Sequence, residues 1–158
     1  MNEHILALPH CAFKTNCFQE MVSFYRDTLG LQELFTLQHN EASLIRTKQV
    51  GIKNVGDEWI KYFKIAPNMF VELFDEKYEK LENPGDFSYS CLTITVEDLA
   101  EAAKELLDKG QTLYVKNGTS FDTVFTGDVS SLEADYDKKI SFGIKDPEGN
   151  IVELAQYL

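Results

Sequence analysis

One short motif stands twice in this chain at a single spacing. Val71-Glu72-Leu73 places Glu72 62 positions after His10, and Val152-Glu153-Leu154 places Glu153 62 positions after Cys91. A unit written twice folds twice, so the repeat limits the chain to architectures made of two equivalent halves. Each half starts with a potential metal ligand on one strand and ends with a carboxylate on another.

At 158 residues and 44% hydrophobic content, the chain can bury one substantial core, either one domain or two fused half-domains. It contains no run of about 18 apolar residues. Its start, Met1-Asn2-Glu3-His4, lacks the basic and apolar regions of a signal peptide, so a soluble cytoplasmic protein is expected. Cys11, Cys17 and Cys91 are an odd number without CxxC spacing, which points to free thiols. A net charge of -11 argues against nucleic acid and anionic membranes, since both demand clustered Lys and Arg. The excess acid sits mainly in the second half: 9 basic and 11 acidic residues through Lys80, then 6 and 15.

Residues 5–14 read as a strand, with Pro9 near its start, His10, Ala12 and Lys14 on one face and Cys11 and Phe13 on the other. A helix follows, with Asn16 as N-cap, Gln19 at capping-box spacing, Phe18, Met21, Val22, Tyr25 and Leu29 at helical intervals, and Gly30 as the stop. Strands are predicted over residues 31–37, 59–65 and 70–74, the last two joined by a turn at Pro67-Asn68. Residues 39–58 fit neither pattern clearly.

The second half repeats the order. Residues 89–96 form a strand, and Asp98 caps a helix with Leu99, Ala102, Ala103, Leu106 and Leu107 on one stripe, Glu101 in the capping box and Gly110 at its end. Residues 112–116, 140–144 and 151–155 are strands, the last two joined by the turn Asp146-Pro147-Glu148-Gly149-Asn150. Each half is then βαβββ, and the polar stretch 75–87, carrying Pro84-Gly85, joins them. Residues 117–137 hold five acidic residues and no Lys or Arg. This stretch is too long for a hairpin turn and reads as a solvated acidic loop more readily than as a lid.

Alternation puts Val71 and Leu73 on one face, and Glu72 with Phe70 and Phe74 on the other. Burying an unpaired carboxylate costs several kcal/mol or more, so a buried Glu implies a cation, a metal or a raised pKa. A single such Glu is more often an ordinary solvated residue. A lone strand His is more often packed or solvated than ligating, and a lone Cys is by default a small hydrophobe. Their recurrence at matched positions favours a shared role for His10, Cys91, Glu72 and Glu153.

Three segments, Phe24-Tyr25-Arg26-Asp27-Thr28-Leu29-Gly30-Leu31, Val96-Glu97-Asp98-Leu99 and Lys145-Asp146-Pro147-Glu148-Gly149-Asn150-Ile151-Val152-Glu153-Leu154, resemble the vicinal oxygen chelate superfamily, which includes glyoxalase I, extradiol dioxygenases and bleomycin resistance proteins. The resemblance covers nearly the whole chain and implies an α+β fold. Two tandem βαβββ modules, 1–78 and 86–158, would form a single glyoxalase-like domain over 1–158, a cup-shaped curled mixed sheet with helices outside. It further implies metal ligands at His10, Glu72 and Glu153, with Cys91 at a fourth position where metal-dependent relatives usually carry His or Gln.

On that resemblance the chain is expected to be a metal-dependent lyase or isomerase acting on a small oxygenated substrate. A divalent metal (Zn, Ni, Mn or Fe) would stabilise enolate-like charge, with Glu153 as ligand or displaced general base. Lys14, Phe70 and Phe74 would bind substrate. The alternative is a metal-free binding protein of the bleomycin-resistance type, with Trp59, Tyr62, Phe63, Phe70 and Phe74 as candidate walls; ordinary core is the commoner use of such aromatics. A small-molecule ligand and a homodimer are the expected partners.

Overall fold

Strand pairing in the computed structural model reproduces the repeat residue for residue. The structure describes residues 10–77, 91–117 and 120–158. The chain divides into two compact units, Met1–Glu79 and Lys80–Leu158.

In the first unit, β1 (His10–Lys14) lies parallel to β4 (Met69–Phe74), which pairs antiparallel with β3 (Glu58–Ala66) and, through it, with β2 (Gln32–Gln38), in the order β1-β4-β3-β2. In the second, β5 (Cys91–Thr95) lies parallel to β9 (Ile151–Tyr157), followed by β8 (Lys139–Lys145) and β6 (Leu113–Asn117) in the same order. Ala12 faces Glu72 across the first parallel pair and Thr93 faces Glu153 across the second. The turns into β4 and β9 also match. Asn68 (φ 60°) and Gly149 (φ 85°) occupy the left-handed region at equivalent points, where Asn and Gly are tolerated best. The α+β fold with two related modules is thus present. The parts of the expected strands at 5–9 and 89–90, and residues 78–87 of the expected linker, lie outside the described residues.

Helix α1 (Phe18–Ser23) continues into a π-helical turn, Phe24–Thr28, and buries Phe18, Met21, Val22, Phe24 and Tyr25. Val71 and Leu73 are fully buried, as alternation requires of residues under a helix, and Phe63 lies with them. Each such side chain contributes roughly 1.5–3 kcal/mol. The same side of β3 carries a buried cation. Lys61 Nζ binds Glu33 at 2.8 Å, Glu58 at 2.9 Å and Thr36 Oγ1 at 3.0 Å. Burial pushes its pKa down, but the bonds to Glu33 and Glu58 outweigh that and raise it.

Two sequence expectations need correction, and one stretch left open is resolved. The N-cap of α1 is Cys17 rather than Asn16; Thr15 Oγ1 accepts from the Cys17 N–H at 3.1 Å, and Gln19 reaches across to Glu58 at 3.3 Å instead of closing a capping box. The ambiguous stretch after β2 contains a helix, α2 (Glu41–Arg46), entered through a reciprocal Asn40/Ser43 capping box. The stretch 117–137 is not a bare loop. It carries β7 (Ser120–Phe125), paired to the outer edge of β6, and a 3-10 turn at Val129–Ser131, so among the described residues the second module has five strands. In α3 (Leu99–Asp108) the expected cap is present, with Asp98 accepting from the N–H of Ala100 and Glu101.

Candidate functional site

The two repeated carboxylates sit on corresponding strand faces in different chemical company. Glu72 is buried in the first unit, flanked on its strand face by Phe70 and Phe74 and across the ladders by Ala12 and Tyr62. Its Oε1 lies 3.7 Å from His10 Nε2, on an exposed ring. Tyr62 donates its hydroxyl to Glu72; burial, then the Glu72 charge, pushes the phenol pKa up. Phe35, half exposed at 49%, stacks on Tyr62 with centroids 4.2 Å apart. Glu72 thus borders a face with an accessible aromatic pair. Of the candidate wall residues, Trp59 and Phe63 belong to the core, whereas Tyr62 and Phe70 share the Glu72 face. Lys14 shares that strand face, but its ammonium pairs at 2.8 Å with Glu76, which also accepts from Trp59 Nε1 at 2.9 Å. Phe74 meets the Trp59 ring edge-on at 6.0 Å.

Glu153, 1% exposed, is enclosed by donors. Its Oε1 accepts from Ser141 Oγ at 2.7 Å and Lys116 Nζ at 3.1 Å, with Lys139 Nζ at 3.5 Å. Its Oε2 accepts from Thr93 Oγ1 at 2.8 Å, and the Cys91 thiol lies 3.8 Å away. Burial alone would raise the Glu153 pKa. The bonds from Ser141, Thr93 and Lys116 outweigh it and lower the pKa to about 2. Lys139 is also held protonated: burial lowers its pKa, but Glu153 and Asp135 raise it further.

A glycine makes room for this arrangement. Gly143 faces Glu153 across the ladder, and a Cβ there would meet the Phe121 ring at 2.9 Å and Ile151 Cγ2 at 3.1 Å. Phe121, delivered by β7, thereby covers the strand beside Glu153, and Lys116 Nζ lies 5.0 Å from its ring centroid.

His10 and Glu72 come together in the first unit, Cys91 and Glu153 in the second. Among the described residues, neither unit groups three His, Cys, Asp or Glu side chains as metal ligands. The donor set around Glu153 does not suit a divalent cation. An ion bound to Oε1 would displace the Ser141 hydroxyl and stand against two ammonium groups, a like-charge contact in a buried setting, and one bound to Oε2 would displace the Thr93 hydroxyl. Lys116, Lys139, Ser141 and Phe35 escaped the sequence reading. The alternation around Glu153 places Ile151 and Ala155 beside it, but only cross-strand register reveals what β6 and β8 bring.

A sequence model described as Glyoxalase/Bleomycin resistance protein/Dioxygenase superfamily matches residues 7–154. The chain belongs to this superfamily. Its fold is similar to a putative glyoxalase family protein from Bacillus anthracis (18% identity, 100% of both chains, TM-score 0.62). It is also similar to a glyoxalase family protein from Enterococcus faecalis (19% identity, 94% of this chain and 96% of that one, TM-score 0.63) and to lactoylglutathione lyase from Agrobacterium tumefaciens (17%, 98% and 96%, TM-score 0.59). No curated protein matches. At these identities the superfamily likeness establishes fold, and the chemistry rests on this chain's own residues.

Proposed function

We propose that this superfamily member is a metal-free small-molecule binding protein rather than a metal-dependent lyase or isomerase. The observation that carries the reading is the state of Glu153. A catalytic base needs a pKa near the operating pH, and a metal ligand needs open lone pairs. A carboxylate held at about 2 and bonded by Ser141, Thr93 and Lys116 offers neither. In the first unit, the Phe35–Tyr62 stack beside Glu72 provides a flat apolar surface with a polar edge, a combination that suits a small aromatic or amphipathic molecule.

Elemental analysis tests this directly. Protein produced in medium replete with Zn, Mn, Ni and Fe, and purified without a chelating column, should hold far less than one equivalent of any of them. Glu72→Gln and Glu153→Gln should leave that content unchanged. A stoichiometric metal lost in either variant would overturn the proposal and restore the lyase or isomerase reading.

A further inference from the structure

We propose that the second unit carries an oxyanion site, in which Lys116 and Lys139 receive the carboxylate of a small organic monoanion and supply the positive charge that a metal supplies elsewhere. This rests on the metal-free reading above and names the ligand chemistry of the second unit. A cavity of about 650 Å³ opens beside Glu153, and three of that residue's partners, Lys116, Lys139 and Ser141, form part of its wall. That volume falls within the range of small-molecule pockets.

The two ammonium groups retain bonding capacity. Lys139 has a side chain only 12% exposed, yet its nearest carboxylate oxygens are at 3.5 Å on Glu153 and 3.9 Å on Asp135. Both exceed the roughly 2.7–2.9 Å of a charge-assisted bond, so this buried cation has N–H directions to offer a closer acceptor. Lys116 makes one bond to Glu153 at 3.1 Å and otherwise rests against the Phe121 ring. Ser141 has committed its proton to Glu153. An incoming carboxylate therefore meets two ammonium donors.

The rest of the wall defines the ligand further. Glu133 and Asp135 add negative charge, which disfavours a multiply charged anion. Leu132 and the 93% exposed Tyr136 give an apolar and aromatic flank for the ligand's body. Glu153 is the built-in competitor for both lysines, so neutralising it should strengthen anion binding. A metal site built on Glu153 would respond in the opposite sense.

The test is calorimetric titration of the full chain in EDTA with 2-naphthoate, and with 2-naphthamide as the neutral counterpart. 2-Naphthoate should bind at least about tenfold tighter than the amide, and Lys139→Met and Lys116→Met should each lose about tenfold, the scale of one charge-assisted bond. Glu153→Gln should bind 2-naphthoate several-fold tighter than wild type. Should Lys139→Met fail to fold, Lys116→Met carries the test, since that side chain is 42% exposed. Equal affinity for acid and amide, or unchanged affinity in the lysine variants, would overturn the oxyanion site. Absence of 2-naphthoate binding with or without added metal would also overturn it and leave the metal-free reading standing. Binding that appears only on adding Zn²⁺ or Mn²⁺ would instead defeat the metal-free reading itself.

Discussion

Phe121 lies directly over Gly143, its ring 2.9 Å from the place a Cβ would occupy. The strand that delivers the ring and the strand that makes way for it therefore depend on each other. Gly143→Ala should destabilise the protein by about 1–3 kcal/mol through overpacking. Phe121→Leu, which shortens the obstructing group, should recover part of the loss in the double variant. Urea unfolding of the two single variants and the double variant measures the coupling; strictly additive effects would argue against the contact.

Acid should reveal the Glu153 network. Its folded pKa, about 2, is below the ordinary 4.5, so its contribution is present above pH 4.5 and is lost as the pH falls toward 2. The shift corresponds to about 3 kcal/mol. Stability measured between pH 5 and 2 should fall less steeply in Glu153→Gln than in wild type. Parallel curves would show that another group dominates.

Lys61 holds two carboxylates, Glu33 and Glu58, on the helix side of β3. Lys61→Met removes the cation the two share, leaving Glu33 only the more distant Arg26 at 3.9 Å, and should cost about 1–3 kcal/mol, since the acids keep partial access to water. Adding Glu33→Gln should restore part of that loss. Thermal unfolding of the three proteins is the measurement.

Asp98 and Asn40 cap α3 and α2 respectively. Asp98→Ala and Asn40→Ala should each lower stability by about 1 kcal/mol. Amide hydrogen exchange should localise the change to the first turn of the affected helix. Exchange that rises uniformly across the unit would point to a wider packing role.

The repeat was legible because it is carried by strands whose two-residue period fixes which side chains share a face. Val71 and Leu73 under the helix, and Glu72 on the other face, follow from alternation alone. Capping chemistry was legible at Asp98 but misled at Asn16, because Thr15 offers its hydroxyl to the same turn. Helix α2 was hidden by a capping box closed with Ser43 in place of the usual Glu or Gln. The partners of Glu153 were illegible for a different reason. Lys116 comes from β6 and Lys139 from β8, and neither is within ten residues of Glu153 in sequence. Hydrophobic periodicity carries no information about which strand ends beside which. Lys14 shows the limit of the face argument: it shares the His10 face, and its long stem still delivers the charge to Glu76.

The connection after the second strand is where the two units part. In one unit that connection carries α2 (Glu41–Arg46), whereas in the other it carries the added edge strand β7 (Ser120–Phe125). Both connections leave from the outer side of the shared four-strand order, so either can be rewritten while the pairing that positions Glu72 and Glu153 stays fixed. In a duplicated scaffold that junction is open to divergence. One copy could acquire a lysine-lined chamber while its sibling kept an aromatic face, with no renegotiation of the framework they inherited in common.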